Sequence, residues 1–251
     1  MNACSRFLNR DSLKSHIWTL SGRDGEVTAL IVHCRQLLLP VLCGQKIPLP
    51  YFLYGIFGPI PIHSLQGRKE DAEIMEFGLE RIGLFAVESN DYDVMCIDRE
   101  PFDFHSAGPV GLIIRKPEPA DMDALAALHA AYEQEEVIPA ASEFNTAVSR
   151  LNTQRIFSTE QMLVAELGGR LVGKINTNAA AFTRFQVGGV YVHPNYRGLG
   201  IARRMTGEFA ADLVAQGRGI SLFVKKSNIW ARRLYQRIGF EISGDYRISY
   251  Y

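Results

Sequence analysis

Val190-Tyr191-Val192-His193-Pro194-Asn195-Tyr196-Arg197-Gly198-Leu199-Gly200-Ile201-Ala202 reads as a β-strand, a glycine-rich turn and the first turn of a helix. Pro194 ends regular strand pairing, because it has no N–H to donate. Gly198 and Gly200 place no Cβ in the way of a ligand approaching the backbone. Ala202 keeps the helix start small. Strand, turn and helix in this order aim several backbone N–H groups at one point, at the positive end of a helix dipole. Such a point suits a phosphate group.

Working outward, the elements around this stretch are those of an α/β (α+β) domain. His105-Ser106-Ala107-Gly108-Pro109 is a short punctuated link, and Leu112 to Lys116 reads as a strand. Pro117, Pro119 and Asp121 then open a helix carrying Leu125, Leu128 and Tyr132 at helical spacing. Asn145 to Phe157 fits a second helix. Met162–Leu167 and Arg170–Ile175 flank Gly168-Gly169, a two-residue hairpin signal, since both turn positions tolerate φ > 0. Phe185 to Val192 is the strand entering the glycine-rich turn. Ile201, Met205, Phe209 and Leu213 stand four apart and mark the buried face of the helix that follows. Ile220 to Val224 is a strand, Asn228 to Ile238 a helix closed by Gly239, and Phe240 to Tyr251 is expected as two short strands around Gly244-Asp245. The expected order from Leu112 is β-α-α-β-β-β-α-β-α-β-β.

The first half is α/β as well. Val27 to His33 and Gln36 to Leu42 fit a hairpin, Asp71 to Ile82 a helix, and Tyr92 to Ile97 a strand. This is a shortened echo of the second half without its phosphate loop; Gln66-Gly67-Arg68 is the only trace of one. We divide the chain into an accessory α/β domain at 1–109 and a second domain at 110–251.

Composition narrows the function classes. Twenty-seven basic residues balance 27 acidic ones, so no general attraction to nucleic acid or to an anionic membrane is expected. Cysteines 4, 34, 43 and 96 form no C-x-x-C and no Cys/His pairing at metal spacing, so free buried thiols and no metal are expected. Charged residues interrupt the first 26 positions, leaving no apolar signal core, and a cytoplasmic protein is expected. Ile47 to Ile62 carries no charge, but Pro48, Pro50, Pro59 and Pro61 break any helix there, and the run falls short of the ~20 residues that span a bilayer. It reads as a buried loop or a packing surface. Between 197 and 237 nine Arg/Lys face two acids, Glu208 and Asp212; Arg203, Lys226 and Arg232 are the candidates from this basic stretch to meet phosphate.

A second cluster lies about thirty residues beyond the glycine-rich turn: Asn228, Ala231, Leu234, Tyr235, Gly239 and Phe240. Together the two clusters resemble the GNAT superfamily of acyl-CoA N-acyltransferases. Arg197, Gly200 and Ala202 match its Q/R-x-x-G-x-G/A pyrophosphate loop, and the second cluster matches its N-x-x-A-x-x-L-Y-x-x-x-G-F segment. The resemblance covers roughly the last 140 residues and is silent on the acceptor. It implies a GNAT fold, a mixed central sheet flanked by helices, with the first half either a degenerate GNAT-like half-domain or an unrelated accessory domain.

The resemblance also implies roles. Acetyl-CoA is the co-substrate, held by Val190, Tyr191, Val192, Arg197, Gly198, Leu199, Gly200, Ile201, Ala202, Arg203, Asn228, Ala231 and Tyr235. The strand at Val190–Val192 splays from its neighbour near Ile220–Val224 and pairs with the pantetheine arm, an amide near Val190 polarises the thioester carbonyl, and Asn228 touches the arm. Tyr235 matches the general acid that protonates the departing thiolate; a phenol of ordinary pKa ~10 holds that proton at neutral pH. Packing and a hydrogen bond to sulfur is the other reading of Tyr235. No acid lies on the strand Phe185–Val192, so the general base is left among Glu133, Glu135, Glu136, Glu166, His193 and a water path.

The function implied is transfer of an acetyl group to a primary amine, on a small molecule or a peptide, by direct attack in a ternary complex, with a homodimer as the possible assembly. Two alternatives from other classes stand beside it: a non-catalytic acyl-CoA sensor, which amine-dependent thioester turnover would end, and an RNA- or ribosome-binding module using the 197–237 region, which salt-dependent RNA binding would support.

Overall fold

A computed structural model describes residues 16–21, 24–44, 55–57, 60–98, 104, 107–139 and 142–251. Their contacts gather into two units that interleave along the chain. The earlier unit takes the described residues up to Val94 together with Val224–Ser227 and Ser243–Tyr251; the later unit takes Met95–Phe223 and Asn228–Ile242.

The earlier unit begins with strands β1 (His16–Ser21), β2 (Val27–Cys34) and β3 (Leu37–Val41), continues through β4 (Ser64–Arg68) and helix α1 (Lys69–Glu80), and reaches β5 (Glu88–Ile97). The β2–β3 hairpin turns on Arg35 and Gln36 at φ 51° and 65°, the two positive angles that a tight two-residue turn requires. Strand β1, which antiparallel pairing adds to the edge of β2, has no counterpart in the sequence reading. Gln66-Gly67-Arg68 is strand: β4 runs straight into α1 with Arg68 at its N-cap, so no phosphate loop forms there. Ala72, Met75 and Leu79 of α1 are fully buried and pack with Leu38, Leu65 and Phe57. Phe57 thus belongs to the core. Residues 47–54 and 58–59 of the uncharged segment lie outside the described residues, as do Cys4 and the link residues 105–106. Of the described cysteines Cys34 is buried and Cys43 exposed, so the expectation of buried thiols fails at Cys43.

The later unit starts with β6 (Ile113–Arg115). A single 3₁₀ turn, Pro119–Asp121, leads into α2 (Met122–Tyr132), which ends in a π-helical turn, Glu133–Val137. Helix α3 (Thr146–Thr159) follows, its first turn capped by Asn145 Oδ1 accepting from Val148 N at 3.0 Å. Then come β7 (Met162–Leu167), β8 (Arg170–Ala180), β9 (Arg184–Val192), α4 (Ile201–Val214), β10 (Gly219–Lys225) and α5 (Ile229–Ile238). The strand order is β6-β7-β8-β9-β10, antiparallel as far as β9 and parallel between β9 and β10. Gly168 and Gly169 make the β7–β8 turn at φ 59° and 71°. Ile201, Met205, Phe209 and Leu213 are all at most 3 % exposed, so the four-residue spacing marks the face of α4 that meets the sheet. Arg115 anchors β6: it donates to both oxygens of Asp121 at 2.6 and 2.9 Å and to Glu166 at 2.9 Å.

The last strand, β11 (Glu241–Tyr250), returns to the earlier unit, where Tyr246–Tyr250 pair antiparallel with Ser64–Arg68 and the strand order is β1-β2-β3-β4-β11-β5. The two short strands expected around Gly244-Asp245 are therefore one. Gly244 does not take a positive φ, and no turn forms. Among the described residues no helix is long and apolar enough to cross a membrane.

Candidate coenzyme and acyl-transfer site

Two irregularities of β9 shape the site. The first is a bulge. Lys174 pairs with Tyr191 and Asn176 with Gly188, so the single residue Ile175 of β8 faces both Gly189 and Val190 of β9. Gly189 takes φ 61°, the left-handed angle at the first position of such a bulge, and its space is closed: an added Cβ would lie 2.2 Å from Asn176 Oδ1 and 2.8 Å from Lys174 Nζ. The second is a splay. Pairing with β10 runs from Arg184/Gly219 to Val187/Leu222 and stops. Among the described residues the five positions Gly188 to Val192 have no parallel partner on β10, which leaves a strand edge for a ligand.

That edge leads directly into the glycine-rich turn. His193 Nδ1 accepts from Asn195 N at 3.3 Å, Pro194–Tyr196 form a 3₁₀ turn, and Gly198 and Gly200 both stand at φ 79°. Residues 197–200 are exposed. Gly200 is the N-cap of α4 and supplies no capping side chain, so the first-turn amides of Ile201, Ala202 and Arg203 have no side-chain acceptor from that cap. By contrast, Asn228 caps α5, its Oδ1 accepting from Ala231 N at 3.1 Å. Of the two helices α4 and α5, the one that starts at the expected phosphate point is without a side-chain cap, a lack it shares with α1.

Charged side chains line the approach. Arg197 donates to Val192 O at 2.9 Å and to Glu135 at 2.8 Å, and lies 5.3 Å from the centre of the Tyr191 ring. The pair is half exposed and contributes little stability of its own. Arg203 lies over Phe104, 5.8 Å from its centre. Lys226 belongs to the earlier unit and is engaged there by Asp93 at 3.1 Å and Asp245 at 2.6 Å.

The π-helical turn brings three acids to the site. Glu135 meets Arg197, Glu136 accepts from Asn228 Nδ2 at 3.2 Å, and Glu133 accepts from Asn152 at 3.3 Å. Asn228 thereby joins α5 to this turn while capping its own helix. Glu166, the other acid weighed as a base, is held by Arg115 away from this group. Tyr235, on α5, is buried and packs edge-on to Phe240, ring centres 5.8 Å apart. Burial, then the fields of Tyr132 and Glu136, push its phenol pKa well above the ordinary value, so the proton is retained at any physiological pH.

The residues missed by sequence reasoning sit beneath the bulge. Lys174 is fully buried; its ammonium donates to Gly189 O at 3.0 Å and Asn176 Oδ1 at 3.3 Å and lies 4.6 Å from the centre of the Tyr132 ring. Burial pushes its pKa down to about 7, against the opposing field of Glu133. Burial and the Lys174 charge hold His129 to about 4, and its Nε2, 3.2 Å from Glu133, is not in hydrogen-bonding geometry. Two signals were present: a lysine inside the apolar run Leu171–Ile175, and a Gly-Gly inside a strand. Among the described residues no cluster of three or more His, Cys, Asp or Glu is arranged to hold a metal.

The later unit is thus a mixed sheet flanked by helices, with a splay between β9 and β10 and a glycine-entered helix after it. Residues 125–240 match the family described as Acetyltransferase (GNAT) family, and the chain thus carries a GNAT domain over that stretch. A GCN5-related N-acetyltransferase from Sphaerobacter thermophilus superimposes over 98 % of this chain and 84 % of its own, at 20 % identity and TM-score 0.65. A tandem GNAT protein from the clavulanic acid biosynthesis pathway matches 95 % of this chain and 83 % of its own, at 13 % identity and TM-score 0.59. A GNAT-family protein from Novosphingobium aromaticivorans matches at 22 % identity and TM-score 0.51, the match spanning 65 % of each chain, just under two thirds of that protein's length. No curated protein matches. Family and fold support acyl transfer in general terms.

Proposed function

We propose that the protein moves an acetyl group from acetyl-CoA to a primary amine, on a small molecule or a peptide, by direct attack in a ternary complex. One observation carries this reading: the edge of β9 that β10 leaves unpaired leads through the glycine-rich turn to the N-terminus of α4, which has no side-chain cap. An extended amide-bearing arm that ends in a pyrophosphate asks for that combination, ladder partners first and then a concentrated set of N–H donors.

In this reading the pyrophosphate rests on the turn and helix start, Arg197 to Arg203. The pantetheine arm pairs with Val190, Tyr191 and Val192, beside Asn228 and Ala231. The Val190 amide polarises the thioester carbonyl, and Tyr235 delivers its proton to the departing thiolate. A phenol pKa raised by burial fits a donor that stays loaded until the thiolate forms. The acids of the Glu133–Val137 turn stand on the acceptor side of the proposal, with a water path to them in place of a base on β9. We assign acyl transfer to 110–251 and a role in acceptor choice to the stretch before it, in a cytoplasmic protein.

The test is calorimetry with CoA and acetyl-CoA on the full chain, followed by CoA release across a panel of amines and peptides. Binding with amine-dependent release is expected. Binding without release to any amine favours a sensor, and absence of binding refutes the coenzyme site.

A further inference from the structure

Lys174 brings a charge into the core of the later unit without an anion to meet it. Its side chain is 0 % exposed, and among the described residues no carboxylate forms an ion pair with it. Desolvating an ammonium is costly, and lysine is almost never fully buried unless paired. What it meets instead is one backbone carbonyl, Gly189 O at 3.0 Å, with Asn176 Oδ1 and the face of Tyr132 completing its surroundings. The bulge is built around this contact, since any side chain at Gly189 would collide with the ammonium.

Gly189 C=O and Val190 N–H are two ends of one peptide group. A donor at the oxygen draws electron density through the C–N bond and leaves the N–H more acidic, which is how hydrogen bonds in chains strengthen one another. We infer that Lys174 is a positioning residue for acyl transfer: by donating to Gly189 O it polarises the Gly189–Val190 peptide from behind and makes the Val190 N–H a stronger donor to the acyl carbonyl. This rests on the proposed placing of the thioester carbonyl at Val190.

The arrangement makes the donor sensitive to pH. Burial sets the Lys174 pKa at about 7. The groups facing it are Tyr132, His129 and Glu133 from α2 and the turn after it, Tyr191 from β9, and the apolar Val164 from β7. His129, held to about 4, and Tyr191, raised by burial, do not change charge between pH 6 and 8. Within that window the ammonium loses its proton, and polarisation of the peptide falls as pH rises. A lysine acting as general base demands the opposite sign, activity rising with pH.

The experiment uses the full chain with acetyl-CoA carrying ¹³C at the acyl carbonyl. The infrared carbonyl stretch of the bound thioester is read from pH 6 to 8, beside coenzyme affinity by calorimetry, for the wild type, Lys174→Gln and Lys174→Met. In the wild type the stretch is expected to move to higher frequency as pH rises through the window. Lys174→Gln keeps an uncharged donor and should give a pH-independent stretch at the high-pH position. In Lys174→Met the stretch should lie higher still, with kcat down about 10-fold, a fraction of the loss from deleting an oxyanion donor outright, and coenzyme affinity unchanged. A wild-type stretch that ignores pH while acetyl-CoA is bound overturns the inference, and that result needs no variant that folds. Failure of the wild type to bind acetyl-CoA instead overturns the coenzyme reading on which the inference stands.

Discussion

Replacing Gly200 by Glu tests the anion site most directly. Gly200 stands at φ 79°, and the nearest atom to an added Cβ is Ala107 O at 3.6 Å, an ordinary contact. The substitution therefore meets backbone strain rather than a clash, about 1–2 kcal/mol for an L-residue in the left-handed region. A carboxylate at a helix N-terminus recovers ~0.3–1 kcal/mol of this through the dipole, so the folded protein should lose about 1 kcal/mol. The coenzyme meets a larger effect. A carboxylate roughly 5 Å from one phosphate charge, at an effective dielectric near 20, costs about 3 kcal/mol, on the order of 100-fold in Kd. Gly217→Glu supplies the control. Gly217 lies just beyond the other end of α4 at φ 76° with nothing within 4 Å, so it carries the same strain far from the proposed phosphate point. Calorimetry with CoA, with unfolding curves for both variants, gives the comparison. A Kd for Gly200→Glu within threefold of that for Gly217→Glu would refute the placing of the pyrophosphate at this turn.

Three further outcomes are expected. Tyr235→Phe should lower kcat by about 10²–10⁴-fold with coenzyme affinity nearly intact, and with the raised phenol pKa the wild type should show no Tyr235-dependent loss of rate up to pH 10; weakened binding at unchanged kcat would reduce the residue to a binding contact. Asn228→Ala removes the α5 cap and should cost about 1 kcal/mol in denaturant unfolding, whereas Asn228→Ser keeps a cap acceptor without setting a carboxylate against Glu136 and should lose less. Arg115→Met should cost roughly 2 kcal/mol at pH 7, because two carboxylates lose a charged donor. Since Arg115 holds the Asp121 pKa below its ordinary value, that difference is complete above the unfolded pKa near ~3.9 and should shrink as pH falls through the lower folded value; a difference that stays constant down to pH 2 would show that the pair adds nothing.

The fold of the later unit was legible because its signals are local. Gly168-Gly169 needs only its own φ angles to make a turn, and the 201-205-209-213 spacing needs only the helical repeat to mark a buried face. The same habit of reading locally misled at Gly244-Asp245, where a turn signal was overridden by pairing of Tyr246–Tyr250 with a strand nearly 180 residues earlier. Strand β1 escaped for the complementary reason: His16–Ser21 shows no clean alternation, five of its six residues are exposed, and only its pairing with β2 makes it a strand.

The site divides along the same line, and its two parts depend on each other. The turn from Arg197 to Ala202 is contiguous, so its residue types announce its chemistry. Lys174 and Gly189 are fifteen residues apart, and neither means anything without the register of β8 on β9. That register is itself set by the bulge. A ladder slipped by one residue turns every side chain to the opposite face, so the extra residue at Gly189–Val190 is what lets Lys174 stand opposite Tyr191 while Asn176 stands opposite Gly188. Gly189→Ala should therefore act on both levels at once. It strains a left-handed position by about 1–2 kcal/mol and drives a methyl group into Lys174 and Asn176, leaving buried polar groups without partners at a further ~1–3 kcal/mol. The expected total, about 2–5 kcal/mol, should be measured against Gly169→Ala, a hairpin glycine at φ 71° with open space around it, which carries the strain alone. Equal losses in the two variants would mean that the lysine and asparagine yield without cost, and that the bulge is not built around the ammonium.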